Sequence, residues 1–169
     1  AQNIASDVTN CTNGSWDEEK KEPTQEGKIV FNGTQASATH LLISGIICDI
    51  RYSDTTTSLK SCTNYGPIEV NGACTNTDAA DVIGIGGIYA APTWRSHITG
   101  EVTDCSNYGK ITVSMQHTGT TPMYVGGIIG GYIRCSMKNI ENHGEIHITD
   151  TAKIGGQAYI AGVQATNFI

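Results

Sequence analysis

The residues that could do chemistry in this chain are scattered rather than gathered into a motif. His143 and His147 stand four apart, a spacing that would put both on one face of a helix, but here they fall on a turn and a strand. No HExxH pattern and no paired CxxC motif accompanies His40, His97, His117, His143 or His147, so they read as surface histidines and no metal site is expected. Glycoside hydrolysis needs two converging carboxylates. The acids here either cluster in the insert around Asp17, Glu18, Glu19 and Glu22 or stand singly. Glu69, Thr112 and His147 fall on equivalent outward strand positions, yet they mix types and make no acid pair. A GxSxG nucleophile motif is absent. Calcium-binding β-rolls carry an Asp in register after Gly-Gly. Here Gly86-Gly87 and Gly126-Gly127 are followed by Ile88 and Ile128, while Asp54, Asp78 and Asp81 lie in loops. No catalytic residue, metal or cofactor is therefore assigned.

One group of residues suits binding. Arg51-Tyr52, Trp94-Arg95, Tyr132 and Arg134 each follow a Gly-containing apolar segment. Stacked, they would form a ridge of aromatic rings and guanidinium groups fitted to sugars or a protein surface. The competing reading is that they fold back and cover apolar surface. Asn10-Cys11-Thr12, Asn13-Gly14-Ser15 and Asn32-Gly33-Thr34 match the glycosylation sequon, as a Thr-, Asn- and Gly-rich chain does by chance.

What must position these residues is a repeat. Cys62-Thr63-Asn64-Tyr65-Gly66-Pro67-Ile68-Glu69-Val70 returns as Cys105-Ser106-Asn107-Tyr108-Gly109-Lys110-Ile111-Thr112-Val113. It returns again as Ile140-Glu141-Asn142-His143-Gly144-Glu145-Ile146-His147-Ile148. The first copy is split, with Cys11-Thr12-Asn13 and Gly27-Lys28-Ile29-Val30-Phe31 on either side of a charged insert, Gly14 to Glu26, read as a solvated loop or short surface helix. A second element tracks the first and centres on Gly45, Gly87, Gly127 and Gly162. A fixed order of elements with variable gaps marks a solenoid, in which each unit buries its apolar face against its neighbours.

Each Gly-x-Ile-x-Val segment alternates with period two, the signal of a half-buried strand. The Asn-Tyr-Gly before it, around Gly66, Gly109 and Gly144, is turn chemistry. The Gly-Gly element is a strand by composition. A third short strand leads into each Cys/Asn position at Leu59 to Cys62, Val102 to Cys105 and Met137 to Ile140. Three strands per unit predict an all-β, right-handed parallel β-helix or β-roll of about four coils, with a β-sandwich as the alternative. Repeats span about 7–50, 58–91, 98–131 and 135–165 in one domain, 1–169. Asn13, Asn64, Asn107 and Asn142 would align as an inward or turn-lining amide ladder.

Six cysteines invite a disulfide framework. Cys11, Cys62 and Cys105 occupy a place that Ile140 fills in the fourth repeat, which makes it an apolar core position with free thiols. Cys48, Cys74 and Cys135 fall outside this argument, and pairing among them stays open.

The paired pattern Asn-Tyr-Gly-x-Ile and Val-Gly-Gly-Ile resembles the GLUG-type repeat of bacterial cell-surface proteins, from about Cys11 to Val163. It is clearest at Cys105 to Ile111 followed by Tyr124 to Gly130. The resemblance implies a secreted, surface-located solenoid with a scaffold or adhesive role and transfers no catalytic residue. The expected partner is a host or matrix protein or a glycan. A carbohydrate-active β-helix enzyme or its accessory domain, and a passive spacer, are the alternatives.

Composition narrows the partners. A net charge of -6 argues against nucleic acid, which needs a basic face. No apolar run approaches the ~20 residues of a membrane span. The chain opens on Ala1 without an initiating Met and reads as a mature or excised piece; its apolar last unit, Ile160 to Ile169, suggests end-to-end stacking with further repeats.

Overall fold

The computed structural model describes residues 7–36, 40–49, 57–92, 98–133 and 135–165. Among these every regular element is a β-strand. Equivalent repeat segments lie side by side and in register. Ile29–Phe31, Ile68–Val70, Ile111–Val113 and Ile146–Ile148 form one four-stranded parallel sheet, in which Ile68 faces Ile29 on one side and Ile111 on the other. The Gly-Gly element makes a second such sheet from Leu41–Ser44, Ile83–Gly86, Met123–Gly126 and Ala158–Ala161. This in-register parallel stacking is consistent with a β-helix and does not fit a β-sandwich, whose sheets are antiparallel.

The strand inventory is richer than three per unit. Two further four-stranded parallel sheets are built from two-residue strands. One contains Thr34–Gln35, Ala73–Cys74, Gln116–His117 and Lys153–Ile154, and the other Ile47–Cys48, Tyr89–Ala90, Ile129–Gly130 and Gln164–Ala165. Strands this short carry no readable periodicity, which is why the sequence concealed them. The segment leading into the Asn also differs from expectation. It runs Glu101–Asn107 and Ser136–Asn142 in two copies, but breaks into Leu59–Lys60 and Thr63–Asn64 in another. Every copy turns a corner within this segment. Asn10, Ser61, Asp104 and Asn139, at equivalent positions, all have φ of 52–54°. Asn and Asp tolerate this left-handed backbone best among non-glycine residues.

The insert is neither loop nor helix. Trp16–Asp17 and Glu22–Pro23 pair antiparallel as a hairpin. Its turn is held by the Asp17 carboxylate, which accepts from the Glu19 and Lys20 backbone N–H groups at 3.0 Å each. Lys21 closes it at φ 59°.

The interior holds two apolar clusters. One joins Ile68, Val70, Ile111 and Val113 to Ile83, Ile85, Met123 and Val125. The other joins Leu59, Cys62, Val102 and Cys105 to Ile88, Tyr89, Ile128 and Ile129. Along one row, Asn13 donates to Asn64, Asn64 to Asn107 and Asn107 to Asn142, each Nδ2···Oδ1 at 2.8 Å. The second Nδ2 proton goes to a glycine carbonyl: Gly66, Gly109 and Gly144 in three copies, and Gly27 in the split one, at 2.9–3.0 Å. The hairpin is thus spliced in so that Gly27 takes the place of the missing glycine.

The ladder explains why the two repeat elements travel together. A Cβ on Gly45, Gly87 or Gly127 would collide with the next glycine carbonyl and with the amide of Asn64, Asn107 or Asn142 respectively. Only glycine lets the backbone approach a buried amide column this closely.

Candidate functional site

The outward side chains of the Asn-Tyr-Gly turns form an aromatic column. Tyr65 and Tyr108 stack with ring centroids 5.2 Å apart, and Tyr108 and His143 stack at 4.6 Å and 11°. In-register rungs bring one aromatic from each unit to the same place, at roughly the 4.8 Å inter-strand spacing. Where the split first unit has no such residue, the hairpin supplies Trp16. Its ring lies 6.0 Å from Tyr65 and 5.4 Å from Tyr108, edge-on to the latter. Trp16, Glu18, Tyr65 and Tyr108 line an open cleft of about 240 Å³. That is below the roughly 300–1,000 Å³ of pockets for drug-sized ligands, so the cleft suits one ring-sized group.

The rest of this surface is polar and cross-linked between rungs. Lys28 pairs with Glu69 and Lys110 with Glu145, both at 2.7 Å. Lys110 holds the Glu145 carboxyl below the usual carboxylate value. Lys60 lies between Asp7 at 3.4 Å and Glu101 at 3.2 Å. Hydrogen bonding to Glu101 and then Asp7 raises the Lys60 ammonium, and the Ser58 backbone N–H lowers Asp7. Solvent screens exposed pairs of this kind, so they fix surface register more than stability. A second stacked pair, Tyr124 over Tyr159 at 5.0 Å and 9°, stands on the Gly-Gly sheet.

The residues singled out from sequence fare unevenly. Of the proposed aromatic and Arg ridge, Arg51, Tyr52, Trp94, Arg95 and Arg134 lie outside the described residues; Tyr132 is half-buried. Glu69, Thr112 and His147 do share one row. Asp78 and Asp81 work within their loop: Asp78 accepts from the Ala80 N–H at 2.8 Å and Asp81 from the Asn76 amide at 2.8 Å. The column of Trp16, Tyr65, Tyr108 and His143 was missed as a site. For three of the four its signal is an aromatic ring directly before Gly66, Gly109 and Gly144, which reads as turn chemistry; Trp16 stands before no such glycine.

One histidine reverses expectation. His117 is fully buried rather than at the surface, and among the described residues neither ring nitrogen has a hydrogen-bond partner. It occupies the inward position of Gln116–His117, aligned with Cys74 and Ile154. Burial pushes its imidazole below the ordinary value.

The six cysteines are free. Cys62, Cys74 and Cys105 are buried and Cys11 is half-buried. Burial pushes Cys11, Cys48 and Cys74 up and Cys135 up to about 11. The Cys62 thiol donates to the Lys60 carbonyl at 3.4 Å and the Cys105 thiol to the Thr103 carbonyl at 3.3 Å, and the neighbouring Cys62 thiol together with burial pushes Cys105 up. Both side chains are shut off from solvent, as inert core thiols are.

No family model, curated protein or solved structure matches this chain.

Proposed function

We propose that this chain is a non-catalytic, adhesin-like module of a secreted or cell-surface protein. In this reading it is a right-handed parallel β-solenoid of about four coils that contacts a host, matrix or glycan partner through the face carrying Trp16. The observation that carries the reading is the cleft between the hairpin and the aromatic column. Ring surface from Trp16, Tyr65 and Tyr108 lies there beside Glu18, whose carboxylate pairs with Lys21 Nζ at 2.9 Å. A sugar offers what such a site takes, apolar C–H faces beside hydroxyl donors. The resemblance of the repeat to GLUG-type surface proteins supports the same class.

A second reading, the passive spacer, is favoured by one detail. The faces of Tyr65, Tyr108 and His143 are turned toward one another, so stacking already occupies them. Trp16 is the ring that departs from this arrangement, which makes it the residue to test.

The experiment probes a glycan array and immobilised matrix proteins with the unmodified chain, Trp16→Ala and Glu18→Gln. The expected result is retention that weakens roughly tenfold on loss of the Trp16 ring. Retention should also weaken in Glu18→Gln, whose melting temperature should not move because Glu18 is exposed. If the unmodified chain is retained nowhere, or both variants are retained equally well, the binding reading fails and the spacer stands.

A further inference from the structure

We propose that the two ends of this stack are complementary and that copies of the chain associate head to tail. The outer row of one molecule (residues 135–165) would receive the first row (residues 8–36 and 40–48) of a second.

The leading observation is Gly162. At Gly45, Gly87 and Gly127 the absence of a Cβ is enforced by the next row, whose glycine carbonyl and Asn amide fill the space. At Gly162 nothing among the described residues lies within 4 Å of that position. The same slot is therefore present, and no described residue fills it. A second copy would fill it with the Gly45 carbonyl and the Asn13 amide, the two groups that occupy it at every inner row.

The amide ladder has the matching polarity. Every Nδ2 points toward the later row and every Oδ1 toward the earlier one. Asn142 spends one Nδ2 proton on the Gly144 carbonyl and has the other to give. Asn13 at the opposite end offers its Oδ1. Joining the ends extends the ladder by one bond of the same kind.

The apolar rows also end open on both sides. Ile160, aligned with the fully buried Val125, is 49% exposed. Val8, Cys11 and Ile46 are the half-buried members of one core cluster at the first row, and Ile140 and Val163 at the last. The first row carries an open hollow of about 350 Å³ lined by Val8, Cys11, Asn13 and Gly45 to Ile47. Ile140, Asn142, Gly162 and Val163 are the residues that would enter it. Charge agrees as well, since Lys28 of a second copy would stand beside Glu145 in the same register as Lys110 on its other side. The two surfaces differ, so the contact is heterologous and propagates rather than closing as a dimer. This inference does not depend on the Trp16 cleft.

Sedimentation velocity over a concentration series tests it. The unmodified chain should grow past dimer as concentration rises. Gly162→Val puts a side chain into the slot, which is open in the isolated molecule, and should stay monomeric. Ile46→Arg blocks the opposite end and should also stay monomeric. An equal mixture of the two retains one good head and one good tail, and should stop at a 1:1 dimer. Circular dichroism melting checks that both fold; Ile160→Lys, at the exposed end, replaces Gly162→Val if that variant does not. A chain that remains monomeric at every concentration overturns the proposal. So does a tail variant that assembles like the unmodified protein, or a mixture that does not dimerise.

Discussion

Inner and outer rows of this molecule carry the same residue types in different environments. Val125 and Ile160 are register partners, yet one is fully buried and the other half-exposed. Asn107 is fully buried with an amide neighbour on each side, whereas Asn142 has one. Gly87 is pinned by backbone and amide atoms, and Gly162 meets open space. In a stack, burial depends on how many neighbours a rung has more than on what the rung is made of. Substitutions should therefore divide by row rather than by residue type.

The sharpest division is expected at the glycines. Gly87→Ala forces a methyl group into a backbone carbonyl and should cost more than about 4 kcal/mol, or prevent folding. Gly162→Ala should leave the monomer's denaturation midpoint nearly unchanged. Equal effects at the two sites would mean that the rows are not energetically distinct.

Next comes the ladder. Asn107→Ala strands the Asn64 amide and the Gly109 carbonyl in the interior, at roughly 1–3 kcal/mol for each unsatisfied group. Asn142→Ala, with one fewer ladder partner and more solvent, should cost about a third as much by urea denaturation.

The apolar rows should follow. Ile111→Ala should cost about 2–5 kcal/mol, as for a fully buried position. Ile146→Ala, its half-buried register partner, should cost clearly less. A reversed order would contradict the burial pattern directly.

The smallest effect concerns pH. The folded-state value of His117 is lowered by burial, so as pH falls below about 6.5 the unfolded chain takes up a proton before the folded one does. Stability should decline as pH drops from about 6.5 through the lowered value and be flat above it. His117→Met should remove this component from a plot of melting temperature against pH.

Much of this organisation was legible in the chain because a solenoid converts recurrence in sequence into adjacency in space. The Ile rows, the asparagine positions and the thiol row could all be read from spacing. The two-residue strands could not, because they are shorter than any period. The hairpin was hidden because its pairing depends on a turn that Asp17 caps with its side chain. His117 misled because its inward position belongs to one of those short strands.

By itself the sequence determined the repeat, its order of elements and which residues must align, since those follow from alternation and turn chemistry along the chain. Only the tertiary structure decided that the asparagines face inward and that the glycines make room for them. It alone brought Trp16 into a column of rings drawn from other units and left a slot beside Gly162 that no described residue fills. Each of these depends on what a neighbouring rung places within a few ångströms, and no local pattern along one strand carries that information.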